Sequence, residues 1–137
     1  MKGSYILVIF LKFNSTIRIG RLGNLNFKRG FYFYIGSAMG TSGSTTLLNR
    51  VKRHLRSPHQ KKNHWHIDYL LENDSVSIIK VYLIPCKIKL ECKIAQELVE
   101  ISDEYVENFG SSDCHCKSHL IYFKDINKHF PLKKDNN

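Results

Sequence analysis

The first 67 residues contain no aspartate and no glutamate; the earliest carboxylate is Asp68. Residues 1–67 carry 12 lysines and arginines, whereas residues 68–137 hold 9 basic and 12 acidic side chains, so the net charge of +9 sits in one half of the chain. Proline is scarce, with 3 in 137 residues, and alongside 12% aromatic residues that excludes an intrinsically disordered chain. Also missing is any apolar run near the ~20 residues that a membrane helix needs, so no membrane partner is expected. Cysteine is limited to positions 86, 92, 114 and 116, and the apolar stretch Tyr5–Leu11, bounded by Lys2 and Lys12, is too short for a secretion signal. The expectation is a soluble cytoplasmic protein with reduced thiols.

The length fits one compact domain over residues 1–132, followed by a polar tail at 133–137. Tyr5 to Phe13 is apolar and β-branched, as in a strand covered on both faces. Residues 14–29 alternate and then turn at Gly20 and Gly23, which reads as a basic hairpin. Phe31–Gly36 is a strand with Tyr32 and Tyr34 on one face and Phe31, Phe33 and Ile35 on the other. A loop of small residues, 36–46, ends in helix-capping types. Leu47, Leu48, Val51 and Leu55 then recur at helical spacing, predicting a helix from Thr46 to Arg56. A short helix is expected over His66–Glu72, a strand over Val76–Ile84, a long helix over Glu91–Glu107 and a last strand over His119–Phe123. The class is α+β: a small mixed β-sheet with packed helices.

An all-positive folded segment has to face a polyanion or lose stability to self-repulsion, and the commonest polyanion is nucleic acid. The candidate binding cations are Arg18, Arg21, Lys28 and Arg29 around the hairpin, Lys52, Arg53 and Arg56 on the helix, and Lys61 and Lys62 beyond it. A merely solvated basic surface is the plainer alternative.

Several motifs give this cation a chemistry. Gly3-Ser4-Tyr5 opens the first strand and Tyr34-Ile35-Gly36 closes the third, while Arg50 and His54 lie four residues apart on one helix face. These features resemble the GIY-YIG nuclease domain. The chain resembles still more closely the GIY-YIG-like domain of unknown function of archaea and bacteria, sometimes fused to endonuclease III. That likeness rests on His64-Trp65-His66-Ile67-Asp68-Tyr69-Leu70, on Glu91-Cys92, and on Phe109-Gly110-Ser111-Ser112-Asp113-Cys114 with Cys116 and His119-Leu120. Tyr5 and Tyr34 lie 29 positions apart, longer than the family's usual loop, and the basic hairpin fills the gap as an insertion.

The resemblance implies metal-dependent phosphodiester hydrolysis, nicking or cleaving DNA in preference to RNA, with a DNA-repair enzyme as partner. Such chemistry needs an oriented nucleophile, a cation on the phosphate oxygens and a divalent ion such as Mg2+ or Mn2+. Carried over, Tyr5 and Tyr34 become base or positioner, Arg50 the phosphate grip and Glu91 the metal ligand; His54 and His66 join the site. Glu97 flanks the same apolar stripe as Glu91, and helix geometry alone does not separate them. Each tyrosine also has a plain reading as a half-buried strand aromatic. As a base, either would need cationic surroundings to lower a pKa of about 10.

Cys114, Cys116 and His119, with His64 or His66 as a further ligand, have the types of a zinc cluster, but a one-residue gap between cysteines is a poor zinc spacing. Inert buried thiols are expected instead. Two other functions stay open beside the nuclease: a non-catalytic nucleic-acid-binding module of the same fold, and an adaptor stabilised by structural zinc.

Overall fold

The computed structural model describes residues 1–56, 63, 65–111 and 116–126. Lys61, Lys62, His64, Cys114 and the tail at 133–137 lie outside the described residues. In chain order the elements are β1 (Gly3–Leu11), β2 (Ser15–Arg18), β3 (Asn24–Phe27), β4 (Gly30–Ala38), α1 (Leu47–Leu55), α2 (His66–Leu71), β5 (Val76–Pro85), α3 (Glu91–Ile101), β6 (Glu104–Tyr105) and β7 (Leu120–Phe123).

β1 pairs along its length with β4 on one side and β5 on the other, and the five-stranded order is β5-β1-β4-β7-β6. The α+β class is the expected one. The sheet, expected to be mixed, is instead antiparallel in all four of its described pairs. The helical connection from β4 to β5 does join strands of like direction, but it steps over β1, which lies between them and runs the other way. β2 and β3 form a separate hairpin.

Alternation along the strands sorts the core into two layers. Leu7, Ile9 and Leu11 of β1 and Tyr32 and Tyr34 of β4 face Leu47 and Val51 of α1, Ile67 and Leu70 of α2, and Ile17 and Phe27 of the hairpin. On the opposite face Val8, Phe33, Ile35, Ile121 and Phe123 pack against Ala95 and Leu98 of α3. β1 is thus buried on both faces, each fully buried aliphatic side chain contributing roughly 1.5–3 kcal/mol. A register shift between Val8 and Ile9 on the β5 side lets Val76, Ile78 and Val81 of β5 all pack against the first layer.

The helix expected over 91–107 ends at Ile101. Ser102 turns extended, its hydroxyl donates to Val99 O at 2.8 Å, and Asp103 N–H donates to Tyr122 O at 3.1 Å. A serine offers the last turn a side-chain donor, and the sheet takes over the backbone. Tyr105, in phase with the helix on sequence, pairs with Ile121 in the sheet. Among the described residues no helix is long and apolar enough to cross a membrane.

Candidate active site

Antiparallel register places Tyr5 opposite Gly36 and Tyr34 opposite Leu7. The two tyrosines therefore share a face as diagonal neighbours, with ring centroids 6.4 Å apart. A Cβ at Gly36 would overlap the Tyr5 ring and hydroxyl, so the glycine that closes Tyr34-Ile35-Gly36 is the space in which Tyr5 lies.

Above this face stands α1, whose N-cap Thr46 accepts from Asn49 N–H at 3.4 Å. One helical turn apart, Arg50 and His54 point at the tyrosines. His54 is buried, and its Nε2 lies 2.7 Å from the Tyr5 hydroxyl. Arg50 donates from Nη1 to Ser37 O at 3.0 Å, while its buried Nε has no acceptor among the described residues. The Arg50 guanidinium lies 4.9 Å from the centre of the Trp65 ring.

Tyr5, Tyr34, Arg50, Trp65, Glu91 and His119 line one cavity of about 140 Å3. The structure thus gathers Tyr5, Tyr34, Arg50 and Glu91 from four separate elements, β1, β4, α1 and α3. Glu91 stands in the first turn of α3, with Oε1 3.2 Å from Lys89 Nζ and Oε2 3.6 Å from His119 Nδ1. Glu97, its competitor on sequence, is exposed and does not line the cavity. The site therefore offers a carboxylate beside an arginine. That set suits Mg2+ or Mn2+, which bind through one or two carboxylates and complete their shell with water and substrate phosphate.

The cationic surroundings do not lower the tyrosines' pKa values. Burial, then the Tyr34 phenol, raises Tyr5 well above its ordinary value, and Arg50 pulls it only part of the way back. Burial, then the carboxylates of Glu91 and Asp68, likewise raises Tyr34 against Arg50 and Arg53. Both phenols are protonated near neutral pH, and the Tyr5 hydroxyl shares a hydrogen bond with His54 Nε2 whose direction follows the His54 tautomer. The arrangement differs from a tyrosinate base because desolvation outweighs the charges.

His66 does not line the cavity. Its Nδ1 accepts from Gly110 N–H at 2.9 Å and its ring packs on Phe109 at 5.5 Å, holding the turn that forms one wall. Arg53, expected among the binding cations, makes a two-pronged ion pair with fully buried Asp68 at 2.9 and 3.0 Å. Asp68 also accepts from Trp65 N–H at 2.9 Å, and the Arg53 guanidinium lies 4.4 Å from the Trp65 ring centre. The first half of the chain lacks carboxylates of its own, and here the second half supplies one.

Of the other expected cations, Lys28 pairs with Glu104, and Arg29 lies over the Phe10 ring at 5.2 Å. Arg18, Arg21, Lys52 and Arg56 are exposed. Trp65 and His119 are cavity residues that sequence reasoning did not place there. Trp65 lies inside the His-Trp-His run, and His119 belongs on sequence to the His119-Leu120 motif and to the cysteine cluster.

The cysteines depart from the expectation of reduced thiols: Cys92 and Cys116 are joined by a disulfide, and Cys86 is free. His119 Nε2 lies 3.8 Å from Cys92 Sγ. Burial lowers the His119 pKa, with Glu91 opposing and Lys89 adding to the shift.

A family model described as a domain of unknown function, DUF123, matches residues 4–135. No curated protein and no solved structure matches the chain.

Proposed function

The chain belongs to this family of unknown function, and we propose that it hydrolyses phosphodiester bonds in DNA as a divalent-metal-dependent nuclease of the GIY-YIG type. One observation carries the reading: a half-buried arginine whose buried Nε–H has no acceptor among the described residues shares a small cavity with two phenols and a carboxylate. A buried donor without an acceptor costs about 1–3 kcal/mol, which an entering anion would recover.

In this reading Arg50 grips a non-bridging phosphate oxygen and Tyr34, as a neutral donor, orients the phosphate. Tyr5 takes the proton from the attacking water as it passes its own to His54 Nε2, the 2.7 Å bond being the path. Glu91 would hold Mg2+ or Mn2+, which supplies positive charge against the charge developing on the phosphate. Trp65, flanked by two guanidiniums, keeps Arg50 in place. The exposed cations Arg18, Arg21, Lys52 and Arg56 bind the duplex backbone. Action in the cytoplasm, preference for DNA over RNA and a DNA-repair enzyme as partner belong to the same reading.

The test is relaxation of supercoiled plasmid by the full chain with Mg2+ or Mn2+ and with a chelator, beside Arg50→Ala. Metal-dependent nicking that Arg50→Ala loses is the expected result. DNA binding without nicking under either metal would overturn it in favour of a non-catalytic binding module. That second reading is favoured by the same burial that keeps both phenols protonated.

A further inference from the structure

Behind Glu91, on the side away from Lys89, lies a set of donors that the hydrolytic reading does not use. Cys92 Sγ, Cys116 Sγ and a His119 ring nitrogen all lie within 4.8 Å of one another. We propose that, once the Cys92–Cys116 disulfide is reduced, these three side chains bind a thiophilic transition-metal ion of the zinc class, with Glu91 as the carboxylate behind the histidine. Two thiolates and one imidazole are the ligand types that select zinc.

The sulfur–nitrogen spacing fits such an ion, while the two sulfurs, bonded to each other in the disulfide, have to part on reduction. Zinc–sulfur and zinc–nitrogen bonds of about 2.3 and 2.0 Å at a tetrahedral angle put sulfur and nitrogen about 3.5 Å apart. Cys92 Sγ and His119 Nε2 are 3.8 Å apart. The other ring nitrogen supplies a second, independent sign: His119 Nδ1 lies 3.6 Å from Glu91 Oε2. A carboxylate on the far nitrogen of a metal-binding histidine fixes its tautomer and raises its basicity. His119 is buried between the sulfurs and the carboxylate, at 3% exposure.

The unfavourable one-residue cysteine spacing at 114–116 does not bear on this set. Its donors come from the first turn of α3 and from the segment that leads into β7, a combination no local pattern reveals. Three protein donors leave a fourth position for water. The two states are related by a balanced step: a thiol reductant gives two electrons to the disulfide, the sulfurs take two protons, and the ion displaces those protons on binding. The ion would then tie the start of α3 to the segment before β7 and fix Glu91 through His119.

The test needs no nucleic acid, so its outcome is separate from that of the nuclease reading. The full chain, reduced and metal-free under anaerobic conditions, is titrated with Co2+ and then Zn2+ and followed by absorption. One equivalent of Co2+ should bind with thiolate charge-transfer and tetrahedral ligand-field bands, and Zn2+ should displace it. Cys92→Ser and His119→Ala should each weaken binding at least tenfold, and Cys86→Ser should leave it unchanged. Oxidation that restores the disulfide should abolish it, an arm that depends on no variant's folding. Absence of stoichiometric binding by the reduced chain, equal binding by the oxidised chain, or full affinity in folded Cys92→Ser and His119→Ala would overturn the proposal.

Discussion

The Tyr5 hydroxyl meets His54 Nε2 at 2.7 Å inside the first core layer, joining the middle of the sheet to the helix above it. Both residues are buried, at 2% exposure each. Tyr5→Phe keeps the ring and removes only the hydroxyl, so it should cost about 1–3 kcal/mol of unfolding free energy. In a double-mutant cycle with His54→Gln the two losses should not add. Urea denaturation checks this, and additive losses would mean that the bond contributes nothing to the fold.

Arg53 and its neighbour Lys52 should separate sharply, although on sequence both are cations of one basic helix. Arg53→Ala leaves Asp68 buried without its two-pronged partner, a change costing about 3–5 kcal/mol. Lys52→Glu alters an exposed position and should stay within about 0.5 kcal/mol. Denaturation midpoints of the two variants decide; equal midpoints would show that the Arg53–Asp68 pair does not hold α1 to α2.

Acid should loosen the fold through His66. Burial lowers its pKa in the folded chain, so the unfolded chain takes up the proton first. Its contribution is therefore complete above about pH 6.5, the unfolded value, and is lost as pH falls through the lower folded value. His66→Asn offers Gly110 N–H an amide oxygen that does not titrate, and its stability should fall less between pH 7 and 5, a range of about two units around the unfolded value. Parallel stability profiles for the variant and the natural chain would disprove this role.

What the sequence made legible was whatever depended on local period. Strand faces at Tyr32 and Tyr34, the hairpin, and the Leu47–Val51 helix follow from spacings of two and of three or four. Of the residues grouped by motif, Tyr5, Tyr34, Arg50 and Glu91 line one cavity and His66 does not. Long-range chemistry was not legible. Arg53 reads as one more basic helix residue until Asp68 is placed against it, and Cys92 bears no spacing relation to Cys116 until α3 packs beside the segment before β7. The end of α3 was missed for a related reason: Ile101 and Tyr105 are in helical phase, but β7 supplies Tyr105 with a sheet partner.

Binding to DNA should fall steeply with salt, since each phosphate neutralised contributes a slope of about −0.9 in log affinity against log salt. The cations expected to carry it are the exposed Arg18, Arg21, Lys52 and Arg56. Arg18→Ala and Lys52→Ala should each make the slope shallower by about one unit if each meets one phosphate. A flat salt dependence of the natural chain, read by fluorescence anisotropy, would remove the basic half as a footprint.

Tyr34 distinguishes chemistry from packing, because Tyr34→Phe removes one oxygen and keeps the ring. That ring lies 6.0 Å from His54 and 6.2 Å from Phe109, contacts a phenylalanine retains. If Tyr34 serves only packing at the cavity wall, cleavage and binding should both be unchanged. If it orients the reacting phosphate as a neutral donor, nicking should fall by about two to three orders of magnitude, as for a donor that stabilises a transition state, with DNA affinity kept. The pH profile adds a second readout: burial raises the phenol's pKa, so it stays a donor through pH 9, about one unit below the ordinary tyrosine value. Activity in the natural chain should therefore not rise with a tyrosine-like ionisation between about pH 8 and 10, whereas a tyrosinate base would produce such a rise.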